Sequence, residues 1–353
     1  MAQRKGAIRW RQAVLLSVTA AAAAGCTPSV MVLRTKPAEL SIKAKQIAVL
    51  RFGGMDGQQL NQDLTVAISQ AMQADGTTPV FTLVDRQSLG KVMQEQQLAG
   101  TGMIDENKAL QLSKLLPAAA LIIGNAGSRA DGQVQREWET CSRYVNGRSE
   151  NYRCLHETRT VTVNYSAFLK IVDATTGQVL APSALRCTNR ASTYAYDREP
   201  DDIDVGALVD SCRHNVVTQF MHRIAPYQVR ERVYLVKTDS SLPTLAAGNL
   251  AAKRSDWDDA TAEYTKAVAR ADDPSSKIEP NARAEAHYAL GVAEAFRGQY
   301  DEGIAQMESA LRILEKVGDT NDDWSEMLGR VRQWRSDAKK LQDQEKPQAP
   351  AGS

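Results

Sequence analysis

Gln46-Ile-Ala-Val-Leu-Arg-Phe52 and Ala118-Ala-Ala-Leu-Ile-Ile-Gly124 bracket the stretch that decides the fold. Both are short apolar runs bounded by Gly or Pro, the pattern of buried strands. Between them Leu60, Leu64, Ala67, Ile68 and Ala71 recur at helical spacing, which predicts an amphipathic helix over 58–74. Gly76 to Pro79 breaks it, and 80–84 reads as a second strand. Asp85 can cap the next helix, which carries Leu89, Val92, Met93 and Leu98. After a turn at 100–102, Asp105 caps a third helix with Ala109, Leu110, Leu112, Leu115 and Leu116 inward. The strand at 119–123 closes the stretch. This order predicts a sheet with helices packed on it. The loop Gly53-Gly54-Met55-Asp56-Gly57 could cradle a phosphate, but no Gly-Lys-Ser/Thr or Rossmann pattern completes it, so a plain turn is expected.

Outward toward the N-terminus, Arg4, Lys5, Arg9 and Arg11 precede an apolar run over 13–24. Ala23-Ala24-Gly25-Cys26 then resembles a bacterial lipoprotein signal. The resemblance implies cleavage before Cys26 and acylation of its sulfur. Thr27 follows rather than Asp, which implies transfer to the periplasmic face of the outer membrane. Several acyl chains on one Cys hold stably where a single chain binds marginally. Residues 27–45 show little periodicity and read as a tether. Net charge is +1, from 43 basic and 42 acidic residues, and this argues against a dedicated nucleic-acid binder.

Outward toward the C-terminus, Cys141, Cys154, Cys187 and Cys212 form an even set, expected as disulfides in an oxidising compartment. None has Cys-x-x-Cys spacing, so no metal is expected. Four cysteines allow three connectivities. Cys141 and Cys154 lie almost symmetrically about Asn146-Gly147, a hairpin turn signal, and should face each other, leaving Cys187 with Cys212. Val205, Leu208, Val209, Cys212, Val216 and Phe220 predict a helix over 203–224 with Cys212 on its buried side. Residues 230–237 read as an edge strand. His214 and His222 are eight apart and lack a metal partner motif.

From 241 the composition turns to Ala-rich helix. Gly248, Trp257, Ala260, Tyr264 and Ala267 recur at the same offsets as Gly291, Tyr300, Gly303, Met307 and Ala310. This resembles the tetratricopeptide repeat, whose small residues let paired helices pack closely. The period here is 43 residues, and a polar loop at 272–281 accounts for the excess over the family's length of about 34. A capping helix is expected at 324–341 and a disordered tail from 343.

The sequence from Ile47 through Leu83-Val-Asp-Arg-Gln-Ser-Leu89 to Ala120-Leu-Ile-Ile-Gly124 is similar to the curli-secretion lipoprotein family (CsgG-type). Leu169-Lys-Ile-Val-Asp-Ala-Thr-Thr-Gly177-Gln-Val-Leu180 extends the match; the related fold also occurs in the periplasmic lipoproteins that activate penicillin-binding proteins. The resemblance implies an envelope address and no single activity. In the secretion family inserted hairpins pair between subunits to form an outer-membrane barrel, which requires an alternating lipid face over about 9–11 residues per strand. Here the candidate segment 133–159 has no uninterrupted apolar face, and 181–200 carries Pro182, Arg186, Arg190, Asp197 and Arg198. A disulfide-stapled hairpin in water is expected instead.

The fold class is therefore α+β: an α/β sheet domain with stapled antiparallel strands, followed by an all-α tetratricopeptide-like domain. The expected domains are a signal peptide at 1–25, a lipid-anchored tether at 26–45, the sheet domain at 46–238, the helical domain at 241–342 and the tail. Catalytic motifs such as Gly-x-Ser-x-Gly, His-Glu-x-x-His or a P-loop are absent from the sequence, so no enzyme and no cofactor is expected. The expected role is a non-catalytic accessory or scaffold that binds envelope protein partners; the alternative is an oligomeric curli-type secretion channel, a homo-oligomer. Asn249, Lys253, Arg283, His287 and Glu294 are the expected partner-binding residues, on the groove side of the first helix of each repeat.

Overall fold

The computed structural model describes residues 28–84, 119–173 and 178–345. The two helices expected from Asp85 and Asp105, Cys26, and the tail beyond Glu345 lie outside the described residues. By its internal contacts the described chain divides into two units. One joins Leu33–Glu231 to 332–345, and the other joins 28–32 to Arg232–Val331.

The sheet unit is built on five strands in the order β3-β2-β4-β5-β6. These are β2 (Gln46–Val49), β3 (Thr82–Leu83), β4 (Ala119–Val145), β5 (Arg148–Asp173) and β6 (Val179–Tyr196). Strand β2 runs parallel to both β3 and β4, pairing Ile47 with Leu83 on one side and with Ala120 on the other. β4, β5 and β6 are successively antiparallel. Helix α1 (Gly57–Ser69) buries Leu60, Leu64 and Ile68, three residues four apart on one stripe. Its Asn61 side chain donates to the carbonyl of Leu50 at 2.5 Å, fixing the helix to the end of β2. Helix α2 (Val205–Ile224) starts at Asp204, whose carboxylate accepts from the Ala207 N–H at 3.0 Å. It buries Cys212, Val216, Phe220 and Ile224. These stripes meet Ile47, Val49, Ile122, Tyr165, Leu169 and Ile171 in one core.

Three expectations need correction here. The tether at 27–45 contains a strand, β1 (Ser29–Lys36), which forms a two-stranded sheet with β7 (Tyr227–Tyr234). Val30 and Val32 are the buried apolar residues of β1, so the apolar alternation is too short to declare itself without its partner, which lies about two hundred residues away in the chain. The strand expected at 119–123 does not stop at Gly124 but runs 27 residues to Val145. Gly124 is not a terminator: a side chain there would meet the Phe168 carbonyl at 2.6 Å and the Leu169 side chain at 2.5 Å. Last, the capping helix continues to Glu345, past the predicted start of the tail. Within the sheet unit, Gln344 exchanges two hydrogen bonds with the Ala38 backbone (3.2 and 3.0 Å), and Arg34 lies over the Trp334 ring at 4.3 Å.

The helical unit contains two antiparallel hairpins, α3 (Pro243–Lys253) with α4 (Trp257–Asp272) and α5 (Pro280–Phe296) with α6 (Tyr300–Lys316). The next helix, α7 (Asp322–Glu345), contributes its residues up to Val331 to this unit. One recurrent pair of positions, 248 with 264 and 291 with 307, meets in both hairpins. Gly248 sits against the Tyr264 ring, where a side chain would come within 2.3 Å, and Gly291 sits against Met307 and the Gly303 carbonyl at 2.6 and 2.7 Å. Backbones this close admit no Cβ. Gly291→Val should therefore force α5 and α6 apart and cost about 1–3 kcal/mol. A thermal melt in which Gly291→Val matches the parent would refute that close crossing.

Candidate interaction surfaces

Beyond the core, β4, β5 and β6 leave the sheet as a three-stranded arm. At about 3.3 Å per residue, β4 spans about 90 Å end to end. Asn146 and Gly147, both with positive φ (48° and 79°), make the two-residue turn at its tip. Directly paired residues share a face, so the register sorts the arm into two sides. One side carries Arg129, Asp131, Gln133, Gln135, Glu137 and Glu139 from β4. Thr158, Thr160, Thr162 and Asn164 from β5 lie beside them, and Thr188, Arg190, Ser192, Tyr194 and Tyr196 from β6 complete it. The opposite side has Val134, Trp138, Leu155 and Val161, interrupted by the buried Glu157 and its Arg136 partner at 3.1 Å, and by the Arg159–Asp202 ion pair. One face is polar apart from Tyr194, Tyr196 and the Cys141–Cys154 bridge, and the other is apolar only in short patches.

Each disulfide holds one part of this arm. Cys141 and Cys154 are bridged across β4 and β5, with Cα atoms 5.8 Å apart. Cys187 and Cys212 join β6 to α2 at 5.3 Å, so the arm's third strand is tied covalently to the helix that covers the core. Next to the first bridge, His156 stacks on Tyr196 (4.7 Å between rings), meets Tyr194 edge-on and bonds Glu139 at 2.9 Å. The sequence reading passed over this cluster, because its members come from three strands that only the register brings side by side.

The five residues expected to bind a partner do not form one surface. Asn249 is 5% exposed. Its amide donates to the Val236 carbonyl at 2.9 Å and its oxygen accepts from the Tyr264 hydroxyl at 2.7 Å. His287 is also buried, with ring nitrogens 2.6 Å from Gln306 and 3.1 Å from Asp272. Both were expected to be spare polar groups on a groove; packing requires them. Arg283 is exposed and pairs with Asp272 at 2.8 Å. Burial pushes the Asp272 carboxyl up, but the bonds from His287 and Arg283 outweigh it and hold the group below the usual carboxylate range. Lys253 is exposed. Glu294 is half-buried, and its Oε2 has no hydrogen-bond partner. Burial, reinforced by Glu302 and only partly countered by Arg297, lifts its carboxyl to about 7. Among the described residues no cluster of His, Cys, Asp or Glu could hold a metal ion, and no helix is long and apolar enough to cross a membrane.

The sequence profile of the family described as "Curli production assembly/transport component CsgG" matches residues 11–195, just over half of the chain. The chain belongs to the CsgG family. Family membership makes it an outer-membrane-associated component of envelope assembly or secretion, a class with non-enzymatic roles. Solved structures similar to it include these three. Lipoprotein GNA1162 from Neisseria meningitidis is 12% identical, with 50% of this chain and 96% of that one covered and a TM-score of 0.21. The PelC dodecamer from Paraburkholderia phytofirmans is 12% identical, covering 56% and 99%, with a TM-score of 0.20. A putative neuraminyllactose-binding hemagglutinin homolog from Helicobacter pylori is 11% identical, covering 53% and 85%, with a TM-score of 0.22. Likenesses of this size say nothing further about this chain. A comparison with proteins of curated function returned no match.

Two outcomes follow for the helical hairpins. Asn249→Ala strands a buried tyrosine hydroxyl and a carbonyl, and should cost about 1–3 kcal/mol, whereas Lys253→Ala should stay within about 0.5 kcal/mol. Equal, small effects in chemical denaturation would contradict the buried network. Glu294, whose folded pKa lies above its unfolded value, binds more protons folded than unfolded between pH 4.5 and about 7. Its contribution to stability is thus largest below pH 4.5 and declines as pH rises through that window. Glu294→Gln should remove this decline; urea midpoints measured from pH 4 to 8 check it.

Proposed function

We propose that this CsgG-family chain is a non-catalytic lipoprotein, anchored through Cys26 at the periplasmic face of the outer membrane. There it serves as an accessory or scaffold of an envelope assembly. Its contacts would be with other envelope proteins, through the β-arm and through the helical hairpins, read here as tetratricopeptide-like. The observation that carries this reading is the polarity of the arm. A strand facing lipid exposes an apolar residue at every second position for about 9–11 residues. Gln133, Gln135, Glu137 and Glu139 occupy one alternation of β4, and Arg136 beside Glu157 breaks the other. Such an arm is stable in water and costly in hydrocarbon.

A second reading keeps the curli-type channel, and the arm's length favours it. Strands of 27 and 26 residues exceed what a bilayer needs. The polarity of the same strands weighs against it, and the scaffold reading stands as the conclusion.

Fractionation tests the anchor. Cys26→Ser should move the protein from outer-membrane to soluble periplasmic fractions; retention of the variant in the membrane would defeat the lipoprotein reading. Site-specific photo-crosslinkers placed at Gln135 and Lys253 in intact cells test the role, because both positions are exposed. Envelope proteins captured at either site support the scaffold. A crosslinker at Val134, on the alternation that a barrel would turn to lipid, that captures only lipid would favour the channel.

A further inference from the structure

At the start of β1 the fold comes within two residues of Cys26. The Pro28 carbonyl accepts from the Leu235 N–H at 2.7 Å, which places the end of β7 beside the start of β1. Two residues span at most about 7 Å. That is too short for a free tether, so whatever holds Cys26 also holds this end of the sheet. Val30 and Val32 of β1 and Val233 of β7 are buried, and the alternate positions therefore face the other way. On β1 these are Ser29, Met31 and Leu33, with Met31 53% and Leu33 63% exposed. On β7 they are Gln228, Arg230, Arg232 and Tyr234, all exposed. None is acidic. Glu231, the one carboxylate of the two strands, lies on the other alternation and pairs with Arg34 and Lys36. Arg330 brings a further cation to β7, donating to the Arg232 carbonyl at 3.3 Å.

We infer that Met31, Arg232 and Tyr234, the part of this face nearest Cys26 and all within the helical unit, rest on the anionic phospholipid surface of the membrane that anchors the chain. The nearness of lipid rests on the proposed acylation of Cys26; the chemistry of the face does not. An exposed aliphatic side chain enters the headgroup layer, a tyrosine ring sits at its depth, and an arginine pairs with phosphate while its stem stays on apolar surface. A protein could also cover an apolar and basic face. Two features select lipid instead. The link to Cys26 brings the bilayer to this end of the sheet before any partner arrives, and the charge on the face is of one sign, opposite to that of phosphate. A contact of this size binds weakly alone and serves as a second signal beside the acyl chains. It would lay the end of the β1–β7 sheet flat on the bilayer, where acyl chains alone leave the chain free to turn.

The test uses the mature chain, residues 26–353, carrying Cys26→Ser, so that neither the apolar run over 13–24 nor an acyl group can bind lipid. In flotation it should rise with vesicles of phosphatidylcholine mixed with phosphatidylglycerol and not with phosphatidylcholine alone, and added salt should release it. Arg232→Glu and Met31→Asp should each lower partitioning by about fivefold or more, with thermal melts unchanged because both side chains are exposed. Lys266→Glu, the same charge change at an exposed helix position, should leave partitioning as it is. Binding to neither vesicle, or equal binding by the parent and both variants, would overturn the inference. A photo-crosslinker at Met31 of the acylated chain in cells should capture phospholipid, and capture of protein alone would overturn it as well. Acylation itself is decided by fractionation of Cys26→Ser. The vesicle measurement involves no acyl group, so failure of the anchor and failure of this contact are read separately.

Discussion

The backbone ladder of β5 is the constraint on which the sheet unit depends. Its C-terminal half, with Tyr165, Leu169 and Ile171, is the middle of the core, and its N-terminal half is the middle strand of the arm. Both neighbours bond to it over long spans without interruption in the arm; the one irregularity lies between Ile171 and Val172, at the base. A pleated strand alternates its side chains rigidly, so the phase set by the buried residues of the core propagates outward. Which arm residues face together is decided in the core, many residues away.

That propagation explains why the arm needs covalent help. Past the reach of α1 and α2 there is little apolar area to bury, and a ribbon without a core is marginal in water. The Cys141–Cys154 bridge closes the far part of the β4–β5 hairpin, and the Cys187–Cys212 bridge ties β6 to α2. The segment after Tyr196 adds to this. It folds back so that Asp197 accepts from Leu155 and the Asp201 carbonyl accepts from Thr193. On the proposed scaffold reading, polarity and covalent stapling fit the arm to water, and these are what separate that reading from the barrel expected of a lipid-facing hairpin.

The helical hairpins depend on a different physical device, the missing Cβ. Gly248 and Gly291 let one helix of each pair approach its neighbour until ring or backbone atoms touch. Close approach leaves no water for polar groups at the seam. The Tyr264 hydroxyl, the Asn249 amide and the His287 ring therefore find partners inside the fold, and burial raises the Glu294 carboxyl, whose Oε2 has none.

Read alone, the sequence determined what local periodicity and turn chemistry can carry. Leu60, Leu64 and Ile68 make a helix, Asn146-Gly147 makes a hairpin turn, and the offset recurrence of Gly248 and Gly291 marks two equivalent helix pairs. Each of those signals is complete within about a dozen residues. Tertiary structure decided the rest. It made Ser29–Lys36 a strand, because β7 supplies the ladder that this short alternation needs. It carried β4 through Gly124 and Gly132, where a sequence reading stops, because β5 provides an unbroken partner. It also moved Asn249 and His287 from an expected groove to the interior. A polar side chain at a helix position is compatible with solvent or with a buried partner, and only the arrival of Val236, Tyr264, Asp272 and Gln306 from elsewhere in the chain settles which.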